Sequence, residues 1–220
     1  MHKEKRTGRR EEATMLFWFK GMLIGFAIAA PVGPIGLLCV QRTLTRGRWA
    51  GLLSGVGAAS ADAVYGCIAG FGLVSLAHLL LAWQMELQVV GGLFLLYLGW
   101  RIWRTPPVGE QACVRPNHAG LLGDYLSTLA LTLANPVTVL AFLAIFAGLG
   151  LAAEGRDFAA AGGLVLGVFA GSLLWWLLLV GGVGLLRGRL TPAALGGINR
   201  VSGALVAGFG LWALASTVRG

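Results

Sequence analysis

Six stretches of this chain are apolar over about the 20 residues that a helix needs to cross a bilayer. They run Leu16–Val40, Ala50–Val74, Leu87–Arg104, Leu126–Gly150, Phe158–Leu186 and Asn199–Val218. Apolar sequence also continues through Leu76–Trp83, which either lengthens the second helix or lies at the interface. With 57% apolar and only 12% charged residues, the chain cannot cover itself with polar surface. That excludes a soluble enzyme and, equally, a disordered chain. The expected fold is all-α: a polytopic membrane protein of six transmembrane helices, residues 1–220 forming one integral-membrane domain.

Residues 105–123 form the one sizeable polar connector and divide the chain near its middle. The polar tail 1–14 precedes a first unit, 15–104, and a second unit follows at 124–220. The tail and the following Ala27-x-Ala29 resemble a signal peptide, but the apolar run continues past that point to Val40. Met15 as the true start is a further reading of the tail. Basic residues follow helices one (Arg42, Arg46, Arg48), three (Arg101, Arg104, Arg115) and five (Arg187, Arg189). Those loops are therefore expected to be cytoplasmic, in a cytoplasmic (inner) membrane. The net charge of +8 then reflects loops against an anionic lipid surface, with no nucleic-acid partner. Trp18, Trp49, Trp100, Trp103 and Trp212 lie near span ends as interfacial anchors, and Lys20 snorkels. Cys39, Cys67 and Cys113 are too scattered for a disulfide framework or a zinc site.

The two halves echo each other. Val90-x-Gly92 with Gly99 recurs as Val201-x-Gly203 with Gly210, and Pro31-Val32 recurs as Pro136-Val137. Helix two holds Gly51-x-x-x-Gly55 and Gly66-x-x-x-Gly70, and helix five holds Gly163-x-x-x-Gly167-x-x-x-Gly171. Such glycines permit close helix approach. An odd number of helices per repeat inverts the second copy, an architecture of secondary transporters. The expectation is two inverted three-helix repeats, with helices one and four broken.

Ala30-Pro31-Val32-Gly33-Pro34 carries the first break, because each proline removes a backbone donor and crowds the preceding turn. Asn135-Pro136 carries the second, and Asn135 adds an amide that both donates and accepts. Breaks at matching places expose backbone where transporters hold substrate and coupling ion. Asp62 is the one acidic residue deep in an apolar span, with Ser60 and Tyr65 as candidate neighbours. A carboxylate there costs about 2.5–3.5 kcal/mol on insertion scales and is a functional-site hypothesis by default. The candidate site is therefore Pro31, Gly33, Pro34, Asp62, Asn135 and Pro136. Arg42, just after the first break, is a further candidate for a substrate or gating contact. Asp124, at the entry to helix four, is another and equally reads as an N-terminal cap. No HExxH, P-loop or GxSxG motif is present and His2, His78 and His118 do not cluster. Neither a catalytic residue, a metal site nor a cofactor is expected, and energy must come from an ion gradient or a partner.

Pro31-Val32-Gly33-Pro34-Ile35-Gly36-Leu37-Leu38-Cys39, Gly51 to Gly57 and Asp62 resemble the first half of the LysE-type translocators, small amino-acid exporters. Thr132-Leu133-Ala134-Asn135-Pro136 and Phe146-Ala147-Gly148-Leu149-Gly150 resemble the second half. The resemblance implies six helices, homodimers, and export of amino acids or similar small zwitterions driven by proton or cation exchange. Two departures bear on substrate: Pro-Val-Gly-Pro stands where Pro-Gly-Pro is common, and Val137 where a basic residue often follows Asn-Pro. A heavy-metal cation exporter of the same superfamily is an alternative, disfavoured because the spans supply no soft-ligand cluster. A non-transporting membrane scaffold is another, which would need neither Asp62 nor the breaks.

Overall fold

In the computed structural model the described residues are 2–31, 33–71, 82–104, 118–135, 138, 141–142, 158–186 and 191–219. They form seven helices and no strand: α1 His2–Ala29, α2 Pro34–Arg46, α3 Arg48–Gly70, α4 Gln84–Arg104, α5 His118–Leu133, α6 Phe158–Leu186 and α7 Pro192–Arg219. Among the described residues three helices are long and apolar enough to cross a membrane: Arg48–Ile68, Phe158–Leu186 and Ala193–Thr217. The pair Thr14–Ala29 and Pro34–Arg46 passes the same test together, bent by 79°. The apolar run Leu16–Val40 is thus two helices rather than one.

The bend has a local cause. Pro31 and Pro34 have no N–H to give the carbonyls of Ala27 and Ala30. The last bond of the first helix runs from the Ala30 N–H to the Phe26 carbonyl, 2.9 Å. The next begins with the Leu37 N–H on the Gly33 carbonyl, 3.0 Å, and Pro34 sits in its first turn, where a missing donor costs nothing. α2 and α3 are joined by Gly47 alone, at φ 102°, a conformation that favours glycine. Its N–H caps the Arg42 and Thr43 carbonyls at 3.1 and 3.2 Å.

Hydropathy locates α6 to the residue and misplaces other ends. α1 extends back through the polar tail, because Lys, Arg and Glu are good helix formers. α5 begins at His118, eight residues before the expected Leu126, so Asp124 lies inside it and does not cap it. α7 begins at Pro192 rather than Asn199; Thr191 caps it, its hydroxyl accepting the Ala194 N–H at 3.2 Å. The expected ends of helices two and four, Val74 and Gly150, lie outside the described residues, as do Cys113, Pro136 and most of Leu76–Trp83.

The main pairings are α1 with α6, α4 with α7, and α3 with both α5 and α6. Glycine makes the first two close. Gly167 of α6 lies against the Trp18 carbonyl and Gly171 against that of Met22, while Gly25 of α1 faces the Val168 carbonyl. The two echoed glycine motifs meet each other: a Cβ at Gly99 would stand 2.7 Å from the Gly203 carbonyl, and one at Gly203 2.7 Å from that of Gly99. Gly210 and Gly92 repeat the contact one level along: a Cβ at Gly210 would stand 2.7 Å from the Gly92 carbonyl, and one at Gly92 3.2 Å from that of Gly210. The core lies between these pairs, built from Leu38, Cys39, Ala58, Ala59, Leu95, Leu98, Leu131, Trp176 and Val206.

Candidate functional site

The α1–α2 bend opens backbone toward the centre of the bundle. There Pro31, Gly33, Pro34, Asp62, Asn135, Thr132, Thr138 and Trp176 line one cavity of about 60 Å³. Five of the six main sequence candidates therefore share one small space; the sixth, Pro136, lies outside the described residues.

Asp62 comes from α3 and is only 3% exposed. Its Oδ2 accepts the Ser172 hydroxyl of α6 at 2.6 Å, and that hydroxyl accepts Trp176 Nε1–H at 3.1 Å. Indole is a donor only, so the Ser172 proton is free to point at the carboxylate. Ser172 and Trp176 were not among the sequence candidates. Only a polar residue beside the last glycine of the α6 ladder marks Ser172, and nothing local reveals its partner.

The α2 N-terminus contributes to the wall of the same cavity. Gly33 caps it with no side-chain hydrogen bond, and Ile35 and Gly36 also line the cavity. First-turn amides lack intrahelical acceptors and carry the positive end of the helix dipole, so this wall favours an anionic group. α5 ends at Leu133, and after it the Thr138 N–H closes a turn on the Asn135 carbonyl at 3.1 Å.

The hydroxyls of the other candidates on α3 bond elsewhere than Asp62. The Ser60 hydroxyl donates to its own helix, to the Val56 carbonyl at 2.8 Å. Tyr65 donates to the Leu133 carbonyl at 2.6 Å, meeting an acceptor left over at the end of α5, and its ring packs on Phe142. Arg42 and Asp124 meet at the far end of α2, where Arg42 Nε lies 3.3 Å from Asp124 Oδ1. Arg42 also donates to Ser54, Thr128, Ser127 and the Asp124 carbonyl, at 2.7 to 2.9 Å. Arg46 pairs with the same Asp124 oxygen at 2.5 Å. This cluster ties α2, α3 and α5 together by charge.

A second cavity, of about 790 Å³, adjoins the first and shares Pro31, Gly33, Pro34, Asn135 and Thr138 with it. Its walls are mostly apolar and come also from α4 and α7. Among the described lining of both cavities Asp62 is the sole ionisable side chain. No group of three or more metal-ligating side chains occurs among the described residues.

Comparison with known proteins agrees with this picture. The family model for LysE type translocators matches residues 26–217. The chain is 26% identical over 196 residues to the "Putative amino acid efflux protein YcgF" of Bacillus subtilis (strain 168), covering 87% of this chain and 91% of that one. It is 34% identical over 108 residues to the "Uncharacterized membrane protein YahN" of Escherichia coli (strain K12), covering 49% of this chain. That second match spans about half the relative's length, 48%. No solved structure matches the chain. With most of its length matched, this chain belongs to the LysE type translocators and is a membrane transporter, not an enzyme.

Proposed function

We propose that this protein is a secondary transporter exporting amino acids or similar small zwitterions across the cytoplasmic membrane, coupled to a proton or cation gradient. One observation carries the reading: a buried carboxylate and a helix N-terminus without a side-chain cap line the same small cavity at the α1–α2 break. Asp62 would take the substrate ammonium and the amides of α2 its carboxylate, the arrangement of opposite charges that a zwitterion needs. A carboxylate at this depth is tolerable when protonated or when paired with a cation. Exchanging a proton for a substrate ammonium keeps it in one of those two states throughout a cycle.

The same reading includes two inverted repeats of three spans. Exchanging the halves converts the α1–α6 pairing into α5–α3 and returns α4–α7 and α3–α6 each to itself, and these are the main pairings present. The facing of Gly92 and Gly99 with Gly210 and Gly203 lends further support. Loops after the first, third and fifth spans would face the cytoplasm, from their arginines.

A growth screen with and without the gene, on toxic amino acids, amino acids released from dipeptides, and metal salts, tests the export reading. Protection against one or more amino acids is expected. Protection against metals alone would replace this reading with cation export, and no protection on any medium would count against transport of these substrates.

A further inference from the structure

The cavity that holds Asp62 adjoins one many times its volume, at about 60 against 790 Å³. We propose that the larger cavity is the side-chain pocket of the transport site and selects amino acids with bulky apolar side chains over cationic ones. This rests on the export reading above and adds the substrate class to it.

Connectivity comes first. The two cavities share the residues of the α1–α2 break and Asn135. A ligand with its ammonium at Asp62 and its carboxylate at the α2 N-terminus has its Cα at that shared wall. The side chain then has one roomy direction, into the larger cavity.

Chemistry comes second. Leu95, Leu131, Leu205 and Phe209 form the walls, and polar groups enter through Gln88, Asn135 and Thr138. Asp62 is the sole ionisable side chain in the described lining and is already committed to the ammonium. A lysine or arginine side chain would carry a second positive charge into apolar walls with no anion among the described residues to meet it.

Size comes third. The volume lies within the roughly 300–1,000 Å³ of small-molecule pockets, and a small side chain would leave most of it unfilled. Filling with methylenes then raises discrimination by roughly tenfold or more for each one well buried.

Gly208 of α7 offers a direct handle. It lines the larger cavity, and a Cβ added there meets nothing within 4 Å. Leucine at this position would start from an unobstructed Cβ on the wall of the pocket. Gly182 of α6 is equally open and lines neither cavity, so it serves as the control.

The full-length protein in liposomes, loaded separately with labelled leucine, phenylalanine, alanine or lysine, gives the test. Leucine and phenylalanine should leave about tenfold faster than lysine. Gly208→Leu should slow phenylalanine by about tenfold while alanine changes by less than about twofold, and Gly182→Leu should change neither. Phe209→Ala enlarges the same wall and should raise efflux of tryptophan relative to alanine, which keeps the test open if Gly208→Leu fails to insert. Lysine leaving as fast as leucine would overturn the proposal, as would equal slowing of all four by Gly208→Leu, or no change in any. Export itself would stand in those cases. Failure of the wild-type protein to move any amino acid would instead remove the export reading, and this one with it.

Discussion

The Ser172 hydroxyl donates to Asp62 Oδ2 at 2.6 Å, joining α6 to α3 across 110 residues of sequence. Trp176 donates to the same hydroxyl and so directs its proton. Ser172→Ala would leave the carboxylate and the indole without this partner, at a cost of about 1–3 kcal/mol. Export is expected to fall and its pH dependence to move, with expression near normal. Ser172→Thr, which keeps the hydroxyl, should recover part of the rate. Equal loss in both variants would mean that Ser172 acts by size alone.

Pro34 starts α2 where the helix has no use for its missing N–H, while that same absence denies Ala30 a continuing helix partner. Pro34→Ala restores a donor at the break and lets helix propagate backward toward Ala30. The N-terminal wall of the cavity would shift, and transport should drop about tenfold or more, as small misplacements at a binding site do. Membrane insertion should be unaffected. An unchanged rate would reduce the break to a packing bend.

Helix contacts through glycine give a prediction about stability. Any Cβ at Gly167 meets the Trp18 carbonyl, with the Met22 nitrogen also 2.9 Å away, and backbone cannot give way as a side-chain tip can. Gly167→Ala should lower stability by about 1–3 kcal/mol, as overpacking does. Gly99→Ala should behave alike against Gly203 and Ala207. Gly182→Ala, in open space, should be neutral or better. Thermal unfolding in detergent compares the three.

Arg42 and Arg46 share one carboxylate oxygen yet should not be equivalent. The Arg42 side chain is 7% exposed and binds both α3 and α5; that of Arg46 is 43% exposed and bonds Asp124 alone in the cluster. Arg42→Met should cost about 3–5 kcal/mol, the scale of a buried pair broken on one side. Arg46→Met should cost about 1 kcal/mol or less. The difference in melting temperature between the two variants measures it, and equal effects would contradict the cluster as described.

What could be read from the chain follows the range of the physics. The α6 bounds and the break at Pro31–Pro34 depend on properties inside a short window, apolar length and a missing N–H, and both are visible in sequence. The early starts of α1 and α5 are not, because hydropathy reports what lipid can cover and polar turns continue a helix beyond it. Asp124 was open to reading as a cap for that reason; its arginine partners lie 78 and 82 residues away. Asp62 stood out as a lone charge, but the hydroxyl that meets it sits on a helix from the other half. Ser60 and Tyr65 were near in sequence and bond elsewhere, to Val56 and Leu133.

Asp62→Asn tests the central claim most directly, because asparagine keeps the size and hydrogen bonding of the side chain but neither titrates nor carries charge. The measurement is amino-acid efflux from liposomes holding the purified protein, across a range of pH, with wild type and variant at matched incorporation. Efflux near background is expected for Asp62→Asn at every pH, with normal folding in detergent. Wild-type rates with unchanged pH dependence would contradict it and leave Asp62 a helix-packing residue.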